Sequence, residues 1–235
     1  MLADDGIGVR IIRKADGGRR SQTIWEISVY MSTTIRPNPS GDWPEVDPAA
    51  YIDPTAQVIG RVRIGPRVFI GPGAVIRADE AGKDGEVKPI VLEAECNVQD
   101  GAIVHALGGT QVTIGRRTSL SHGSIVHGPC RLGERCFVGF GAVVFMATVG
   151  SGVCISARAV VQDVDIPDNM FVPSSMAPSQ ERIAQLRTTT PHERGFMERV
   201  VDANLKLVEG YHGLAQAEEH VGGFDADFSG SAGQG

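Results

Sequence analysis

Three of the chain's six histidines, His105, His122 and His127, gather near the middle of its 235 residues among small and apolar neighbours. Neutral imidazoles are metal ligands, and three of them leave a fourth position open for water or substrate. That is the pattern of a catalytic rather than a structural centre. Three imidazoles suit zinc, ferrous iron and cobalt alike. In the stretch SLSHGSIVHGP (119–129), His122 and His127 are five residues apart. Five fits neither one face of a helix nor one face of a strand, so the elements that hold these residues follow another period.

That period is six. Ile52, Val58, Ile64, Ile70 and Ile76 recur in phase. The phase resumes at Leu92, Val98 and Val104, and again from Ile114 through Leu120, Val126, Leu132 and Val138 to Val144. It then slips by one residue and continues through Val149, Ile155 and Val161. Four residues after the aliphatic stands a small or β-branched residue, as at Ala56, Val68, Ala74, Ser124 and Ala142. A hexad repeat of this length predicts a triangular prism of short strands, three hexads per coil, with coils stacked roughly 4.8 Å apart. Cys96, Cys130 and Cys136 fall at the small interior position and read as buried thiols rather than disulfides or metal ligands; Cys154 lies one place further on.

On such a prism His105 and His127 each follow the aliphatic of their hexad, and a four-residue insertion at Gly108–Gln111 makes up the remaining interval. They stack on one face, one coil apart, where two imidazoles can converge on one ion with bonds near 2.1 Å. His122 belongs to the preceding face, around a corner. His192, His212 and His220 fall in or beside a predicted helix and read as solvated.

Residues 1–45 lack the repeat and read as a partly irregular extension, with Met31 a second candidate start. The prism is expected over 46–175, a connection and helix over 176–220, and a disordered tail over 221–235. Phe196, Val200, Leu207, Tyr211 and Leu214 form the helix's expected apolar stripe. Asn204 lies on it, either satisfied at the seam or delivered to a site. A net charge of −6 without a Lys/Arg cluster argues against nucleic acid and membrane as partners. No apolar run reaches the roughly 20 residues that span a bilayer. No export signal opens the chain, so the expected location is cytoplasmic.

The segments IRADE (76–80), NVQDGAIVHAL (97–107), SLSHGSIVHGP and FVGFGAVVF (137–145) resemble the γ-class carbonic anhydrases over roughly residues 45 to 215. That family includes the N-terminal domain of the carboxysomal scaffold protein. The resemblance implies a mostly β protein, a left-handed parallel β-helix with a C-terminal helix. It implies a homotrimer with interfacial metal sites, His105 and His127 from one subunit and His122 from the next. The implied reaction is reversible hydration of CO2 to bicarbonate by a metal-bound hydroxide. Glu80 matches the family's active-site carboxylate, Gln99 the glutamine that orients the nucleophile, and Asn204 a helix asparagine near the substrate. Asn97 belongs to the glutamine's motif; Arg77 and Asp100 match a charged pair joining subunits, accompanied by Asp79. Two positions depart from the pattern. Gly108 stands where founding members carry a shuttle glutamate, and Asp202 where they carry a tyrosine. Rival expectations are a scaffold trimer that keeps the metal without turnover, and a metal-free acyltransferase with a histidine base.

Overall fold

In the computed structural model, residues 7–14, 24–31 and 34–222 are described. Parallel pairing starts at Ile35, ahead of the boundary expected at 46, because Ile35–Arg36 and Glu45–Val46 already pair with the coil above them. Seven strands line one face of the resulting β-solenoid, from Tyr51–Ile52 to Phe171–Val172. The hexad arithmetic sets the interior: from Val58 to Val161 every aliphatic of the phase is at most 3% exposed. The small positions are equally closed, with Ala56, Ala74, Ser124 and Ala142 at 0%. Cys96, Cys130 and Cys136 are buried there and unpaired, and burial pushes the thiols of Cys96 and Cys136 up to about 12. Cys154, one place out of phase, points to the outside instead and packs with Phe137 and Met197.

The three faces differ in their outward columns. On the first, the register aligns Val75, Ile103, Ile125, Val143 and Val160, and beside them Arg77, His105, His127 and Phe145. On the second, Glu45, Arg63, Val91, Thr113, Arg131, Thr148 and Asp165 stand in line, a polar column suited to water. The third presents Tyr51, Phe69, Asn97, Ser119, Phe137, Cys154 and Phe171. This face lies under the C-terminal helix, Pro191–Gly222.

The helix starts where its sequence says it should. Thr190 Oγ accepts from the Glu193 amide, the Glu193 carboxylate accepts from the Thr190 amide, and Pro191 occupies the first turn. Its buried stripe is Met197, Val201, Leu205 and Val208, all at most 8% exposed. The expected stripe meets the prism only in part: Val200 packs against Phe137, Cys154 and Met197, Phe196 stands edge to face on Phe137 and Tyr211 stacks on Tyr51, whereas Leu207 and Leu214 are 45% and 62% exposed. The helix carries two apolar stripes roughly 100° apart, and spacing does not say which one is buried deepest. The ion pairs help choose. Arg117, at a prism corner, reaches Glu198 at 2.7 Å and Asp202 at 2.9 Å as well as Glu95 at 2.7 Å; Arg67 reaches Glu209 at 3.2 Å. Arg67, Glu95 and Arg117 hold positive φ (56 to 61°), a strained choice for non-glycine residues. Charged side chains stand there because they clamp the helix. His212 is only half exposed, and its Nε2 is buried, against the expectation of a solvated ring. The expected tail, apart from residues 221 and 222 at the helix end, lies outside the described residues. Among the described residues, no helix is long and apolar enough to cross a membrane.

Candidate metal centre

His105 and His127 pair in register on adjacent coils, as the hexad count expects. His105 Nδ1 lies 3.0 Å from His127 Nε2, with the rings edge to face. The other nitrogen of His127, Nδ1, lies 3.3 Å from the Gly128 carbonyl oxygen, and with a proton on Nδ1 its Nε2 is an acceptor. His105 Nε2 faces Asp79 Oδ1 at 3.5 Å and Glu80 Oε1 at 3.4 Å. His105 Nε2 and Asp79 Oδ1 are both buried without a hydrogen-bond partner. Without a metal, a proton on His105 Nδ1 makes the 3.0 Å contact a hydrogen bond to His127 Nε2. A cation that displaces that proton would meet a ring nitrogen from each histidine. Two nitrogens on one tetrahedral zinc sit roughly 3.4 Å apart, so a small opening of the pair accommodates the ion. Burial holds the His105 pKa below the usual imidazole value and the Arg77 guanidinium adds to it, which favours the neutral ring that metal ligation needs.

The expected site residues divide into two groups. Arg77, Asp79 and Glu80 sit with His105 and His127. Arg77 Nη1 donates to Asp79 Oδ2 at 2.9 Å. Glu80 Oε2 accepts from the Gly108 backbone amide at 3.1 Å. The space at Gly108 is closed: a Cβ there would meet the Ala81 carbonyl oxygen at 2.5 Å. The second group surrounds His122 at a different corner. Asp100 Oδ2 lies 3.5 Å from His122 Nδ1. Gln99 Nε2 donates to Asn97 Oδ1 at 3.0 Å, and Asn97 Nδ2 donates to Ser119 Oγ at 2.7 Å. Asn204 is buried at the helix seam, and its Nδ2 donates to the Val200 carbonyl at 2.8 Å within its own helix. Arg77 and Asp100 are not paired within the chain; each faces a partner in its own group. Among the described residues of one chain, no three metal-ligating side chains come together.

Two aromatic residues escaped the sequence reading. Phe145 sits edge to face against His127, with ring centroids 5.3 Å apart, and Phe140 stacks on His122 at 5.6 Å. The signal was present: Phe145 follows its aliphatic by one place, as His105 and His127 do, and Phe140 follows its own by two, as His122 does.

Comparison with known proteins agrees with the hexapeptide-repeat fold. Residues 44–78 match the family described as bacterial transferase hexapeptide (six repeats). Among solved structures, a hexapeptide transferase family protein from Anaplasma phagocytophilum superposes with a TM-score of 0.65 at 25% identity, over 77% of this chain and 99% of that one. The carboxysome assembly protein CcmM of Synechococcus elongatus is 38% identical over 70% of this chain and 32% of its own length. A carbonic anhydrase from Methanosarcina thermophila is 35% identical over 83% of this chain and 87% of its own. With that identity over most of both chains, the protein belongs to the γ-class carbonic anhydrase family of hexapeptide-repeat proteins.

Proposed function

We propose that the chain catalyses metal-dependent, reversible hydration of carbon dioxide to bicarbonate, at sites shared between the subunits of a homotrimer. The observation that carries this reading is the pair of imidazole nitrogens facing each other at 3.0 Å, on a face whose outward column leaves Ile103 and Val160 exposed. His105 and His127 would hold the ion from one subunit and His122 from the next; zinc, ferrous iron and cobalt all fit three imidazoles. Bound there, the ion supplies Lewis acidity and a nucleophile at neutral pH. The division of the site residues into two groups at different corners supports the shared arrangement, because a trimer can bring one group against the other.

Asp79 Oδ1 lies 3.5 Å from His105 Nε2; with a metal on Nδ1, a small closure would let it accept the Nε2 proton, fixing the ring and strengthening the ligand nitrogen. Glu80, half exposed and held by the Gly108 amide, can take up a proton beside His105 and release it to solvent. Gln99 is oriented through Asn97, leaving its carbonyl oxygen free to accept a hydrogen bond from the nucleophile. Asn204 spends one amide proton on Val200 and keeps the other, and its carbonyl oxygen, for a substrate. Gly108 provides no shuttle carboxylate, so added buffer base should raise the rate. The same feature favours the second reading, a scaffold trimer that keeps the metal without turnover, in line with the resemblance to CcmM. An acyltransferase base needs one histidine, and the pairing of two imidazoles at 3.0 Å speaks against it. Four unpaired cysteines suit a reducing compartment such as the cytoplasm.

The test mixes two inactive variants. His105→Ala and His122→Ala trimers should each lack competent sites. After joint unfolding and refolding in equal amounts, about three-quarters of trimers are mixed, each with one intact site in three, so roughly a quarter of wild-type tight metal binding should return. If mass spectrometry confirms mixing and no binding returns, the shared site is wrong. If metal returns without CO2 hydration by stopped flow, the scaffold reading replaces the enzyme.

A further inference from the structure

The first coil is an unfinished end. Ile35, Val46 and Ile52 are only partly buried. The residues they pair with one coil on, Val58, Ile64 and Ile70, are 0–3% exposed. Ile35–Arg36, Glu45–Val46 and Tyr51–Ile52 stand at the ends of their sheets, each with one edge unpaired among the described residues. Open β-edges with apolar ends need a cover. The C-terminal helix passes this end. Tyr211 stacks on Tyr51 of the first coil with centroids 4.2 Å apart, and the helix runs on to Gly222, roughly 16 Å further. Its exposed stripe continues there, with Tyr211 at 38% and Leu214 at 62%.

Immediately upstream of the open end, strands Ile7–Lys14 and Ile24–Met31 form an antiparallel hairpin. Its register opposes Ile7 with Met31, Val9 with Val29 and Ile11 with Ile27. By period two these three pairs and Arg13–Trp25 share one face, apolar but for Arg13 at its far end, and alternate with Gly8–Tyr30, Arg10–Ser28, Ile12–Glu26 and Lys14–Ile24. A lone two-stranded hairpin is marginal in water and gains stability by laying such a face on another surface. From Met31 to Ile35 the chain can reach at most roughly 14 Å, which ties the hairpin to the open end.

We propose that this hairpin is the prism's cap, docked with its apolar face across the first coil and the overhanging helix end at Tyr211 and Leu214. The apolar pairs, the uncovered end and the short tether require one another. Capping belongs to the fold and holds whatever the metal centre does.

Hydrogen exchange of the full-length protein, followed by mass spectrometry, tests the cap in both directions. Ile27→Asp should speed exchange of residues 45–52 and 211–222 at least tenfold and leave strands Ile103–Ala106 and Ile125–Leu132 unchanged. Leu214→Asp, which leaves the hairpin sequence intact, should speed exchange of residues 24–31 by a similar factor. Wild-type rates at 45–52 and 211–222 in the first variant, or at 24–31 in the second, overturn the proposal. Protection of 211–222 that grows with protein concentration overturns it too, because the cover would then be a second copy.

Discussion

Two faces of the same prism carry outward columns that water should not reach, and they meet different fates. On the helix face, Phe69, Asn97, Ser119, Phe137 and Cys154 are at most 6% exposed, because residues 191–208 lie over them. On the histidine face, Ile103 and Val160 stand 38% and 36% exposed beside His105 and His127, and none of the described residues roofs them. The backbone is the same at both, short parallel strands at one residue per column step. The difference lies in the cover. A solenoid face that the chain roofs itself is structural, whereas an apolar face left open beside two converging imidazoles is suited to another subunit.

The most damaging way to test that contrast is a charge on the open face. Ile103→Glu should dissociate the proposed trimer and lower affinity for the proposed metal at least a hundredfold, read by sedimentation and chelator competition, while the prism keeps its β circular dichroism. Retained trimer and metal would mean that the subunits meet elsewhere.

Acid should attack the roofed face instead. Arg117 holds the Glu95 pKa below the usual carboxylate value, and Arg187 holds Glu193 down to about 2. Carboxylates depressed in the folded state contribute stability above their unfolded value, about 4.3, and lose it as pH falls through the folded one. Between pH about 4.5 and 2 the helix should therefore loosen first, with its helical circular dichroism band falling before the β signal. Coincident transitions would show that the helix and prism unfold as one unit.

A single change in the clamp should do less. Arg117→Ala removes the contacts to Glu95, Glu198 and Asp202, costing about 1–2 kcal/mol of stability by denaturant titration, with oligomeric state unchanged. The smallest effect belongs to the polar column. Thr113→Glu places the same charge one face away from Ile103 and should shift stability by no more than about 0.5 kcal/mol, leaving trimer and metal intact. If Thr113→Glu dissociates the trimer as Ile103→Glu does, the faces have been misassigned.

The sequence by itself determined the coil. A six-residue phase has one low-energy solution, an aliphatic at the axis and a turn at each corner, and it fixed which side chains are interior and that His105 stacks on His127. It would also have placed Phe145 and Phe140, had the columns been followed one coil further. Which apolar stripe of the helix is buried was decided only in the tertiary structure, because Met197–Val208 and Phe196–Leu214 are both regular at helical spacing. The choice between them rests on corner charges that are distant in sequence, such as Arg117 against Glu198. The protonation geometry of the histidine pair was likewise hidden, since it depends on where one carbonyl, at Gly128, and two carboxylates, Asp79 and Glu80, stand in space. Period sets register along a repeating backbone; orientation between elements comes from contacts that no period encodes.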